Sequence, residues 1–193
     1  MCIRDRPWQL RSGEMHSLRI ARADWLQRIR MAKAMGLNTI ALYLMWNAYE
    51  REPGQFDFDT GERDFVAFIR LCKQEGLWVY LRPGPYVCAE WTLGGLPPYL
   101  LREPGMRLRD GNDARYMAAV QRYIAAVAPR IAPLMASAGG PVLMLQIENE
   151  YSMQGSDVGY LQALAALWRT HGIDGPFSCL LYTSPSPRDK RQS

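Results

Sequence analysis

Apolar residues in this chain follow two alternating patterns: short runs with little interruption, and longer stretches in which they recur every three or four positions. The runs are Asn38–Met45, Leu77–Leu81 and Pro141–Ile147, with a more polar one at Gly13–Ile20. Near-continuous apolar runs of this length are typical of strands buried on both faces. Helical stretches lie between them. Trp25, Ile29, Ala32 and Met35 share one face of the first, with Asp24 in its opening turn and Gly36 as its stop. Phe65, Phe68, Ile69 and Cys72 share a face of the second, which Gly76 closes. The third carries Tyr116, Val120, Tyr123, Ile124, Val127, Ile131 and Leu134 in register, and Pro129 and Pro133 are expected to kink or interrupt it. The fourth carries Tyr160, Leu161, Leu164, Trp168 and His171, ending at Gly172.

Four strand-then-helix units in succession predict a parallel sheet with right-handed crossovers. Two closures fit, an open doubly wound sheet or a (β/α)8 barrel. No strand runs into a Gly-x-Gly-x-x-Gly turn or a phosphate loop, which weakens the nucleotide-binding alternative. Polar and aromatic residues gather instead just after each strand: His16, Trp46–Asn47, Arg82–Tyr86 and Glu148–Tyr151. Barrel enzymes place their chemistry at those strand ends. The pattern favours an α/β (β/α)8 TIM barrel, here truncated to roughly its first four βα units, since a complete barrel takes about 250 residues and eight such units.

Residues 7–178 are read as this N-terminal half-barrel. From Cys179 the chain shows no strand pattern where a fifth strand is due, and Cys179–Ser193 resembles translated adaptor sequence found at the edges of assembled reads. Met1–Arg6 resembles another frame of the same material, so both ends are set aside as non-native. They also carry most of the net charge of +4: one unit lies in residues 1–6 and two in 179–193, leaving +1 for the rest. No basic stripe remains, and nucleic acid is not an expected partner. No apolar run reaches about 18 residues, so no membrane span is expected. The four cysteines, Cys2, Cys72, Cys88 and Cys179, match no zinc or redox spacing, and Cys72 reads as a buried thiol. No metal site is expected. Six Trp and ten Tyr either fill a large core or offer flat faces to sugar rings.

The sharpest chemical signal is Gln146-Ile-Glu-Asn-Glu-Tyr151, directly after an apolar run with no turn residue between. If the strand continued, Glu148 and Glu150 would share a face with Asn149 opposite, although a bend at the terminus changes this. Glycosidic cleavage needs one carboxylic acid to protonate the leaving oxygen and a second carboxylate across the bond. A solvated loop would also explain the acids, though not why they follow a buried strand with no turn residue between.

Taken with Gly36-Leu-Asn-Thr-Ile40, Trp46-Asn47, Glu52-Pro-Gly-Gln-Phe-Asp-Phe58, Leu81-Arg-Pro-Gly-Pro-Tyr86, Cys88-Ala-Glu-Trp91 and Gly94-Gly-Leu-Pro97, the hexapeptide resembles glycoside hydrolase family 35, the β-galactosidase family. The likeness runs in unbroken order over about residues 11–178. It implies a catalytic barrel with the acid/base Glu at the end of strand four, preceded by Asn, here Glu150 and Asn149. The nucleophilic Glu of the family ends strand seven, beyond this chain, so the chain alone is expected to be inactive. Tyr43, Ala89, Glu90 and Asn149 are implied to line the galactose pocket.

The implied reaction is hydrolysis of terminal β-D-galactosyl residues with retention, on an oligosaccharide or glycoconjugate, with no cofactor. Alternatives are an exo-glycosidase for another sugar such as glucosamine, or a carbohydrate-binding homologue without catalysis. Family members are often secreted, periplasmic or lysosomal, which leaves the compartment open, as is the oligomeric state. Tyr49-Glu50-Arg51 replaces the family's His-Glu-Pro, and Ser152 a usual Gly, which puts the aglycone preference in question. Structural roles compete for several residues: core packing for Tyr43, an ion pair with Arg82 or Arg102 for Glu90, and hydrogen-bonded scaffolding for His16 and Arg82. Glu148 is expected to support its neighbours, not to react.

Overall fold

The computed structural model describes residues 9–153 and 155–178, together with the backbone pairing of Cys2–Ile3 with Arg6–Pro7. Cys179 and the rest of residues 179–193, on which the adaptor reading of that end falls, lie outside the described residues, as do the side chains of residues 1–8. Among the described residues five parallel strands form one sheet: β1 (Ser12–Glu14), β2 (Thr39–Tyr43), β3 (Trp78–Gly84), β4 (Val142–Ile147) and β5 (Phe177–Ser178). Their spatial order is their order in the chain. A doubly wound sheet reverses direction at a switch point, whereas a barrel is wound one way throughout. The described sheet has no reversal, and is therefore an arc of a (β/α)8 barrel.

Among the described residues four helices of ten or more residues alternate with the strands, α1 (Trp25–Ala34), α2 (Phe65–Gln74), α3 (Ala114–Ile131) and α4 (Val158–Thr170), and a single helical turn, Trp46–Tyr49, follows β2. Three of them start on an aspartate whose carboxylate accepts a first-turn amide: Asp64 from Ala67, Asp113 from Arg115 and Tyr116, and Asp157 from Tyr160. Such a cap stabilises a helix by about 1 kcal/mol. The period-two alternation of β2 divides its side chains between two packing layers. Ile40, Leu42 and Leu44 join the main core with Phe65, Phe68, Ile69, Val120 and Ile124 from the helices. Tyr43 and Met45 point to the opposite face, against Val87 and Ala89. Every residue of β2 is buried, as the uninterrupted apolar run requires.

Several expectations are corrected. The first strand is only Ser12–Glu14, and Ser17–Arg19 form a 3-10 turn, because the polar His16 and Arg19 are engaged in side-chain bonds at the strand end. Met35 is 78% exposed, one residue past the end of α1 and off its buried stripe. Helix α3 runs through Pro129, and the break comes at Pro133 in the 3-10 turn Ala132–Leu134. Pro129 stands in the last helical turn, where it costs one hydrogen bond while Val127, Ala128 and Ile131 stay fully buried. A fifth strand does begin, at Phe177, and pairs Phe177 with Leu145 and Ser178 with Gln146. Two residues are too few for an apolar pattern to show.

Candidate active site

The register sets Tyr43 beside Arg82 and Gly84 beside Ile147, so the ends of β2, β3 and β4 form one rim. Beyond Ile147 the backbone bends sharply. Glu148 (φ 63°) and Glu150 (φ 49°) both adopt left-handed backbone, which costs an L-residue with a Cβ about 1–2 kcal/mol each. This bend separates the two carboxylates that an extended strand would have aligned. Glu148 turns into the protein and is 1% exposed, Asn149 is 5% exposed, and Glu150 faces solvent.

Glu148 is fully engaged. Arg109 grips it through Nε and Nη2, the latter at 2.6 Å from Oε2, and Tyr160 donates its hydroxyl to Oε1 at 2.9 Å. Since Tyr160 has spent its proton on Glu148, its oxygen accepts from Tyr116 at 3.1 Å. Burial, then the nearby Tyr116 and Glu148, push the Tyr160 pKa up, which keeps this hydroxyl a donor. Burial acts against the Arg109 charge, but its bonds to Glu148 more than offset this and leave its pKa raised. Arg109 also stacks over Tyr86, 3.8 Å from the ring centre, and donates to the Asn149 carbonyl at 2.7 Å. The buried pair thus fixes the backbone of the bend rather than presenting a reactive acid.

Asn149 is oriented by two donors. Arg82 Nη2 reaches its Oδ1 at 2.6 Å, and Gln146 Nε2 at 3.1 Å. An arginine only donates, so the oxygen of the Asn149 amide must face it. The amide nitrogen is left without a hydrogen-bond partner among the described residues. Arg82 in turn stacks 3.9 Å over the Tyr43 ring and pairs with Glu14 at 3.8 Å. Burial lowers its pKa, and the charges of Glu14 and Glu150 oppose that shift. The Glu150 carboxylate accepts no hydrogen bond among the described residues.

Glu14, at the end of β1, accepts from the Tyr43 hydroxyl at 3.0 Å and bonds His16 Nε2 at 2.6 Å. The other ring nitrogen of His16 meets Arg19 Nη1 at 2.8 Å. Arg19 Nη2 continues to the carbonyls of Ala89 and Glu90, at 3.0 and 2.7 Å. These two residues follow β3 in a tight turn closed by the Trp91 amide on the Cys88 carbonyl at 3.0 Å. Cys88, Ala89 and Glu90 have φ of 59°, 55° and 45° with no glycine among them. Further along this loop, Gly94 is required by packing: a Cβ there would lie 2.0 Å from the Tyr86 ring.

The sequence-derived candidates therefore stand at one end of the sheet, with differences in detail. Tyr43 is buried but makes a specific bond through its hydroxyl. Ala89 is buried, whereas Glu90 is exposed. Neither expected ion pair of Glu90 forms: Arg82 pairs with Glu14 and Arg102 with Glu52. His16 is a hydrogen-bonded link. Glu14, Arg19 and Arg109 escaped sequence reasoning; the nearest signal was Glu14 lying two residues from His16 at a strand end. Among the described residues no group of three or more His, Cys, Asp or Glu could hold a metal. No described helix is long and apolar enough to cross a membrane.

The unusual Tyr49-Glu50-Arg51 lies on the flank. Glu50 is wholly buried and accepts from Tyr99 at 2.8 Å, Arg122 at 3.0 Å, the Gly54 amide and the Trp46 indole. It ties a hairpin (Glu50–Glu52 with Gln55–Phe56) to α3.

Comparison with known proteins agrees with the barrel fold. In solved structures the fold matches GH5_18 from Streptomyces cattleya in complex with GlcNAc, with TM-score 0.66 and 10% identity over 88% of this chain and 44% of that one. It also matches the exo-β-1,4-mannosidase Op5Man5 from Opitutaceae bacterium strain TAV5, with TM-score 0.63 and 13% identity over 81% of this chain and 27% of that one. At these identities the likeness concerns the fold. In sequence, the chain is 43% identical over 183 residues to a β-galactosidase of Xanthomonas manihotis, covering 94% of this chain and 30% of the relative. It is 43% identical over 186 residues to a β-galactosidase of Mus musculus, covering 95% of this chain and 28% of the relative. The chain thus spans less than a third of the length of these relatives. Residues 1–190 match the profile of glycosyl hydrolases family 35, and the chain belongs to that family.

Proposed function

We propose that the protein hydrolyses terminal β-D-galactosyl residues from β-galactosides with retention of configuration, and that Glu150 is its acid/base carboxylate. Family membership and the β-galactosidase relatives support the substrate class. The observation that carries the assignment within the motif is the contrast between its two acids. Glu148 is consumed by Arg109 and Tyr160, while Glu150 stands exposed at the rim with no hydrogen bond to its carboxylate among the described residues.

In this reading Glu150 first protonates the glycosidic oxygen as a second carboxylate attacks the anomeric carbon. Ionised, it then takes a proton from water to release the sugar. The attacking carboxylate belongs at the end of a seventh strand, on the order of 80 residues or more beyond Glu150 given the spacing of barrel units. Asn149, with its oxygen held by Arg82 and Gln146, has its amide N–H groups left to donate to a sugar hydroxyl. Tyr43, Ala89 and Glu90 complete the glycone pocket, and the exposed Glu90 carboxylate is suited to accept from hydroxyls. A panel of nitrophenyl glycosides on the full-length protein tests the reading. β-Galactoside should be cleaved at least tenfold more efficiently than β-glucoside or β-glucosaminide, and a reversed order or no turnover would refute it.

A further inference from the structure

The turn that carries Ala89 and Glu90 has left-handed φ at both central positions and at the preceding Cys88. Consecutive positive φ is the habit of mirror-image turns, which favour Asn and Gly because residues with larger side chains disfavour it. Here neither is present, so the conformation must be imposed from outside. Ala89 packs against Tyr43, Met45 and Val87, and the side chain that hydrogen-bonds the carbonyls of the turn is Arg19, from the 3-10 segment after β1. One terminal nitrogen, Nη2, donates to both the Ala89 and the Glu90 carbonyls, while Nη1 donates to His16 Nδ1. Because arginine has no acceptor, His16 Nδ1 must be unprotonated and its Nε2–H must donate to Glu14. Glu14 holds the Tyr43 hydroxyl. The guanidinium also lies over the Trp91 ring, 5.1 Å from its centre. Both terminal nitrogens of this side chain are thus engaged, Nη1 by His16 and Nη2 by the two carbonyls.

We infer that Arg19 is a positioning residue for the sugar: it clamps the Ala89–Glu90 turn and couples it, through His16 and Glu14, to Tyr43. The inference rests on the glycone pocket proposed above. Arg19 itself touches no reacting atom. Its planar fork serves two carbonyls and a ring nitrogen at once, which the single ammonium of lysine does not reproduce. Loss of the clamp lets the turn relax toward ordinary φ values, withdrawing contacts made equally to substrate and transition state. Such a loss raises KM and spares kcat.

The test uses the full-length protein with Arg19→Ala and Arg19→Lys. Arg19 is exposed, so both variants should melt close to the parent. Expected for Arg19→Ala is a rise of about tenfold in KM for nitrophenyl β-galactoside and in Ki for galactose, with kcat within about threefold. Amide exchange should quicken at residues 88–91 and stay unchanged in β4. Arg19→Lys should resemble Arg19→Ala more than the parent. Unchanged KM and unchanged exchange would overturn the clamp. So would equal losses in kcat and kcat/KM, or collapse of both variants, since the clamp acts on one turn. A parent that cleaves no galactoside refutes the proposed function instead, and the exchange comparison alone then decides for or against the clamp.

Discussion

Arg82 and Asn149 are joined across neighbouring strand ends, Nη2 of the first donating to Oδ1 of the second at 2.6 Å. This bond fixes which way the Asn149 amide points, and Arg82 itself is held by Glu14 and the Tyr43 face. Removing the guanidinium leaves the buried Asn149 oxygen only the longer bond from Gln146 at 3.1 Å and loosens the hold on the amide's orientation. Arg82→Met should therefore lose about 2 kcal/mol of stability, the scale of a hydrogen bond to a charged group. A misdirected Asn149 should lower kcat/KM for galactosides by roughly a hundredfold. Urea denaturation and steady-state kinetics check the two parts.

The two glutamates of the motif should behave oppositely. Glu148→Gln weakens a buried ion pair with Arg109, and breaking such pairs costs about 3–5 kcal/mol when one charge is left unmatched. The Tyr160 hydroxyl still finds an acceptor in the amide, so the loss should fall at the lower end of that range. Glu150→Gln changes an exposed side chain and should leave the melting temperature within about 2 °C of the parent. Equal destabilisation by the two substitutions, measured calorimetrically, would remove the distinction drawn between them.

Most of the architecture was legible because burial imposes period. The fully buried faces of α2 and α3 and the all-buried β2 appear in the sequence as the spacing of Phe65, Phe68, Ile69 and Cys72 and as the run through Tyr43. The acid-rich hexapeptide was visible for the same reason, since it interrupts an apolar strand. What could not be read was direction beyond the strand ends. The left-handed turns at Glu148, Glu150 and Cys88–Glu90 carry no glycine to announce them. Arg109 and Arg19 reach their partners from a loop and a 3-10 turn, which have no periodicity.

Gly94 offers a test of loop packing. Its φ is 58°, and an added Cβ would meet the Tyr86 ring, which in turn stacks on Arg109. Strain and overpacking together should cost Gly94→Ala about 2–4 kcal/mol. Because the displaced ring bears on the Arg109–Glu148 pair, activity should fall with stability. A variant as stable and active as the parent would show that this contact is not needed.

The two cysteines among the described residues should differ in reactivity. Cys72 is fully buried, and burial pushes its thiol up to about 12. A raised thiol pKa means less thiolate at any lower pH, roughly one molecule in ten thousand at pH 8. Cys88 is only part-buried beside Tyr86. Peptide mapping after iodoacetamide treatment of the native protein at pH 8 should find Cys88 alkylated and Cys72 untouched. Alkylation of Cys72 at an equal rate would mean that α2 does not pack as described.

The role of Glu150 is tested most directly by the leaving-group dependence of Glu150→Gln in the full-length protein. A leaving group with a low pKa departs without a proton, whereas a poor one needs the acid. The variant should cleave a dinitrophenyl β-galactoside at a glycosylation rate within about tenfold of the parent, while losing on the order of 10³-fold on lactose. Azide should then speed the turnover of the activated substrate, because it replaces water without needing a base. A loss of the same size on every substrate, unrelieved by azide, would contradict the assignment of Glu150 as acid and base.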